Sequence, residues 1–109
     1  YRTLFRSQTP AARLREAEGW LLRAPEKGKD REPLAVLVAD LRAGAGDWKG
    51  ALALYPSSPA APELQGWVAL MRATCLYRLK RKDEARKLLQ ASQDLPGFQM
   101  ERRTLAREL

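Results

Sequence analysis

The chain has 109 residues, 45% of them hydrophobic and 30% charged, with a net charge of +7. That is the balance of a single globular domain and not of a disordered chain. There is no histidine and only one cysteine, Cys75, which removes the commonest general base and metal ligand, any internal disulfide and a cysteine-based zinc site.

Alanine and leucine dominate, with many arginines, lysines and glutamates, and no run alternates β-branched with polar residues. These are strong helix formers, so the fold class is all-α. The chain opens on Tyr1 rather than Met, and we expect a fragment of a longer protein. Tyr1–Ser7, with Leu4 and Phe5, reads as the end of a helix. Thr9 and Pro10 then mark a helix start, threonine as the cap and proline at the first helical position. From Ala11 to Ala24 the apolar residues Leu14, Ala17, Trp20, Leu21 and Ala24 form a helical stripe, with Trp20 read as core. Pro25 ends it, and a polar loop follows.

Pro33 stands near the start of the next helix, Leu34 to about Ala43. Its nearly continuous LAVLVA run predicts the most buried element. Gly44 and Gly46 break it, and Asp47 is placed to cap a short helix, Trp48–Tyr55. Pro56, Pro59 and Pro62 stop that helix and predict an extended linker. Glu63–Leu79 reads as a long helix and Arg81–Ser92 as its partner, joined by a short basic turn. Cys75 falls on the apolar side and reads as a small core residue. Pro96 and Gly97 set off a last helix, Phe98–Leu109, with Phe98, Met100, Leu105, Ala106 and Leu109 as its apolar residues.

An internal period runs through these elements. Ala17, Ala51 and Ala85 are 34 residues apart. Four residues later stand Leu21, Tyr55 and Leu89, all large; just before these stand Trp20, Leu54 and Leu88. Small residues follow at Ala24, Ser58 and Ser92. Twelve residues ahead of the alanines stand Phe5, Ala39 and Ala73. Antiparallel helices approach closely only where small side chains face each other, and large neighbours then fill the gaps between stacked hairpins.

This period, the small residues Ala39 and Ala73 within the first helices, and the segments GDWKGAL at Gly46–Leu52 and RKDEARKLL at Arg81–Leu89 resemble the tetratricopeptide repeat (TPR). The chain departs from the family pattern at Arg42, Arg72, Ser58 and Ser92, and Pro96 only approximates its closing proline. The resemblance implies TPR-like stacked helix–turn–helix hairpins, a right-handed α-solenoid: residues 10–24 the second helix of a truncated repeat, 33–56 and 63–92 repeats, and 98–109 a capping helix, all in one domain, 1–109. PELQGWVAL at Pro62–Leu70 and SQDLPGFQ at Ser92–Gln99 look more narrowly like the small TPR chaperones of type III secretion needle subunits.

What the TPR resemblance implies for function is a non-catalytic protein-interaction module, alone or within a larger TPR scaffold. Its first helices would line a concave groove with Val36, Asp40 and Ala43 from one repeat and Trp67, Leu70, Thr74, Tyr77 and Arg78 from the next. Such a wall suits an amphipathic helix or an apolar peptide segment of another protein. Trp67 and Tyr77 read either as anchors of that partner or as packing between repeats or under the last helix; Tyr55 and Trp48 read as core. The chain has no asparagine, which argues against the family's carboxylate-gripping subclass. A chaperone of a secretion-system subunit is one alternative. A basic RNA- or DNA-binding helical repeat is another, but nucleic acid is the weaker expectation: the charges are spread along the chain and no polar pair repeats. No phosphate loop, metal cluster or serine–base arrangement is legible, so no enzyme activity, metal or cofactor is expected. The chain lacks a run of about 18 apolar residues, so no membrane insertion is expected, and a cytoplasmic setting is favoured. The sequence sets no oligomeric state.

Overall fold

The 34-residue period reappears as a repeated backbone turn. In the computed structural model, which describes residues 9–26, 28 and 30–109, helix α2 (Arg31–Gly44) turns into α3 (Trp48–Leu54), and α4 (Pro62–Arg78) turns into α5 (Lys82–Ala91). At the first turn Gly46 N–H donates to Ala43 O at 3.0 Å and Asp47 N–H to Arg42 O at 2.9 Å. At the second, Lys80 N–H donates to Tyr77 O at 3.0 Å and Arg81 N–H to Leu76 O at 2.8 Å. Each pair closes a Schellman motif, which meets carbonyls that a helix end leaves open. The motif needs a left-handed residue, and Gly46 (φ 85°) and Lys80 (φ 63°) supply it at matching positions. Each turn sets two contacting helices antiparallel. The remaining helices are α1 (Pro10–Arg23) and α6 (Gln99–Glu108), and no strand occurs among the described residues. The fold class is therefore all-α, and the helix limits fall within a few residues of those expected.

The chain forms two compact units, Tyr1–Leu54 and Tyr55–Leu109. In the first, Thr9 caps α1 as its sequence predicts: its hydroxyl oxygen accepts from Ala12 N–H at 3.2 Å, and Pro10 occupies the first turn. Ala17 and Leu21 of α1 meet Val38 of α2, with Leu14, Leu34, Ala35, Leu41 and Leu54 packed around them. Helix α2 begins earlier than expected, at Arg31, so Pro33 lies within its first turn. The N–H that proline lacks would have no acceptor there, so the ring costs the helix nothing. Arg42 holds the unit together: its guanidinium pairs with Glu18 of α1 at 3.0 Å and donates to Gly50 O of α3 at 3.2 Å. Asp47 caps α3, accepting from Gly50 N–H at 2.9 Å.

Trp20, expected in the core, is 42% exposed, with the Arg23 guanidinium 5.2 Å from its ring centre. The adjacent Leu21 faces α2, and consecutive helical residues point about 100° apart. Trp48 is half-buried.

In the second unit, Pro62 opens α4 and does not belong to a linker. The segment ahead of it is bound to the unit: Arg72 donates to Ser57 O at 3.2 Å, Gln65 to Pro59 O at 3.2 Å, and Tyr55 and Pro59 are buried. Helix α4, not α2, buries most, with Gly66, Val68, Ala69, Ala73, Cys75 and Leu76 inside. Cys75 is fully buried, as expected. The repeat columns share their environment. Ala17, Ala51, Ala85, Ala39 and Ala73 all have 0% exposure, and Leu21, Tyr55 and Leu89 are buried too. Phe5, the remaining member of the Ala39 column, and the helix end read at Tyr1–Ser7 lie outside the described residues.

Helix α6 packs on α4 and α5 by an unexpected means. Its apolar residues supply little of the inner face: Met100 is 70% exposed and the neighbouring Phe98 43%, and Leu105 is only half-buried. The buried residue is Arg102. Its guanidinium donates to the carbonyl oxygens of Ser92, of Leu95 at 2.5 Å and of Gly97 at 2.8 Å, while its Nε has no partner. Burial pushes its pKa below the ordinary guanidinium value. A forked cation thus satisfies carbonyls at the end of α5 and in the loop beyond it.

Candidate functional site

Trp67, Leu70, Thr74 and Tyr77 recur at helical spacing, so α4 carries them along one side. All four are half-buried, and Arg78 at the helix end is exposed. Thr74 is less polar than its type implies. Its hydroxyl donates to Leu70 O at 2.8 Å, one turn back, which occupies the hydroxyl proton within the helix. Trp67 has a neighbour the sequence did not reveal: its ring lies 5.0 Å from that of Phe98, tilted by 56°. One end of this wall is thus roofed by the approach to α6. At the other end Lys82 Nζ lies 5.9 Å from the centre of the Tyr77 ring.

The wall opens there into a cavity of about 820 Å³ at the α4–α5 turn, lined by Tyr77 and by charged residues between Arg78 and Glu84. Arg81 grips Glu84 through two hydrogen bonds, one of 2.7 Å, and Arg86 pairs with Asp83 at 3.1 Å. The Arg81 hydrogen bond holds the Glu84 carboxyl below the ordinary glutamate range, and Glu84 in turn raises the Arg81 guanidinium.

The positions expected from α2 lie in the first unit and fare differently. Val36 is 5% exposed and Ala43 4%, while Asp40 is half-buried. Helix α2 packs against both α1 and α3, and the buried Val36 and Ala43 offer little surface. The second unit does bring together Trp67, Leu70, Thr74, Tyr77 and Arg78 on α4. Sequence reasoning missed Phe98, Lys80 and Lys82 as their neighbours. A signal for Lys80 was present, since it falls opposite Gly46 when the two turns are aligned.

Among the described residues, no group of three or more His, Cys, Asp or Glu side chains could hold a metal ion, and no helix is long and apolar enough to cross a membrane. No protein-family model matches the chain, and no curated protein or solved structure matches it either.

Proposed function

We propose that this chain is a TPR-like, non-catalytic interaction module whose α4 wall holds an amphipathic helix or apolar peptide of another protein. The observation that carries this reading is the half-buried row Trp67–Leu70–Thr74–Tyr77 along α4. A side chain fully engaged in its own core offers nothing to a partner, and a fully exposed one is not pre-ordered. A half-buried apolar row on a rigid helix has the character of an interface centre. The hairpin that presents it supports the repeat reading, because its turn and its alanine seam duplicate those of the α2–α3 hairpin. The chain has no histidine, the commonest general base, which fits a binding role better than acid–base catalysis.

The test is site-specific photo-crosslinking in source cells. A crosslinker at Leu70 or Thr74 is expected to capture a defined protein that one at Gln90, exposed on α5, does not. Leu70→Ser should abolish the capture while leaving the melting temperature near the parent's. Equal capture from Gln90, or capture insensitive to Leu70→Ser, would remove the α4 wall as the binding surface.

A further inference from the structure

Resting on the reading of α4 as a partner-binding wall, we propose that the partner segment is acidic at one end and that its carboxylates dock on the cationic α4–α5 turn. The turn and the wall are continuous, because Tyr77 and Arg78 belong to both. The turn's own acids are already matched: Glu84 lies in a fork from Arg81, and Asp83 pairs with Arg86. Lys80 and Lys82 therefore leave the mouth of the cavity positive, and an arriving carboxylate meets an uncompensated field.

Lys80 adds a second argument. It sits in the left-handed conformation at φ 63°, in the same hydrogen-bonded turn where the first hairpin uses Gly46 at φ 85°. Glycine takes that conformation freely and lysine does not. The chain thus carries a cation where its own other turn carries the unstrained residue, and strain held in this way marks functional positions. A peptide carboxylate fits this turn better than a nucleic acid. Lys82 already lies over the Tyr77 ring, which removes it as a stacking platform.

The probe is a fluorescein-labelled amphipathic helical peptide with glutamates at one end, compared by anisotropy with a twin carrying glutamines there. The glutamate peptide should bind about tenfold more tightly at low salt, and the advantage should fade as salt rises toward about 0.5 M. Lys80→Gly combined with Lys82→Gln should erase the advantage yet leave the affinity for the glutamine peptide unchanged. Lys80→Gly alone should weaken glutamate binding while raising the melting temperature, which separates loss of the site from loss of the fold. Equal binding of the two peptides by the parent chain, a double variant that keeps the preference, or a single-stranded oligonucleotide that displaces the glutamate peptide would each overturn the acidic partner. If neither peptide binds, or if Leu70→Ser leaves both affinities unchanged, the wall itself fails and the acidic partner with it.

Discussion

Gly66 of α4 lies against the backbone of Gly97: a β-carbon at Gly66 would stand 2.2 Å from the carbonyl oxygens of both Gly97 and Pro96. No real contact is that short, so the loop into α6 rests where α4 has no side chain. Glycine inside a helix costs roughly 1 kcal/mol against alanine, and this contact is what offsets it. Gly66→Ala should therefore destabilise by about 1–3 kcal/mol despite its better propensity. Urea denaturation checks the sign. Trp67 fluorescence should shift as well, because Phe98 follows the displaced loop.

The matched turns give a paired prediction. Lys80→Gly should stabilise the chain by about 0.5–1 kcal/mol, because it releases a left-handed lysine. Gly46→Lys should cost about 1–2 kcal/mol, because it creates one. Thermal melts of the two variants should move in opposite directions. Movement in the same direction would mean that the side chains and not the backbone set the balance.

Ala51 and Ala85 have 0% exposure in equivalent places on α3 and α5. Either alanine changed to leucine should overpack its helix pair at a cost of about 1–3 kcal/mol. Ala53 is exposed on α3, and Ala53→Leu should change stability by no more than about 0.5 kcal/mol. Chemical denaturation of the three variants tests the seam.

Arg102 predicts a local failure. Arg102→Met removes the side-chain donor from the carbonyls of Leu95 and Gly97, while Ser92 O keeps the Leu95 N–H at 3.1 Å; an acceptor left unmet costs about 1–3 kcal/mol, and these two are part-buried, so the low end applies. A loss of that order is expected, with amide exchange accelerating first in α6. Arg102→Lys should recover only part of it, since an ammonium on a single stem lacks the guanidinium's fixed fork.

Glu84 gives the pH dependence. Its folded pKa is lowered, first by the Arg81 hydrogen bond. A depressed carboxylate stabilises the folded state above its unfolded pKa, and that contribution is lost as pH falls through the lower folded value. An NMR titration should place the Glu84 midpoint below the ordinary glutamate range, and Arg81→Gln should move it back up. An unchanged midpoint in that variant would assign the shift to another group.

The sequence made local chemistry legible and tertiary compensation illegible. Thr9 and Asp47 were readable as caps because a cap's partner lies three residues away. The alanine columns were readable because close helix approach leaves a periodic trace of small residues. Arg102 was not, since its burial depends on carbonyls delivered by the end of α5 and the loop beyond. Pro62 was misplaced because a proline that stops one helix and a proline that starts the next look alike without the intervening backbone. At the candidate site, the α4 row followed from the TPR resemblance, which assigns the first helix of a repeat to the groove. The Phe98 cover over Trp67 and the left-handed backbone of Lys80 required coordinates, because neither leaves a periodic mark.

Cys75 is the chain's only thiol and has no solvent exposure. It thereby supplies a native clock for local opening around α4. A disulfide reagent can modify it only when its cover lifts, so the labelling rate under native conditions counts those openings without any introduced probe. Slower labelling when a ligand is added would report that α4 is held in its closed surroundings.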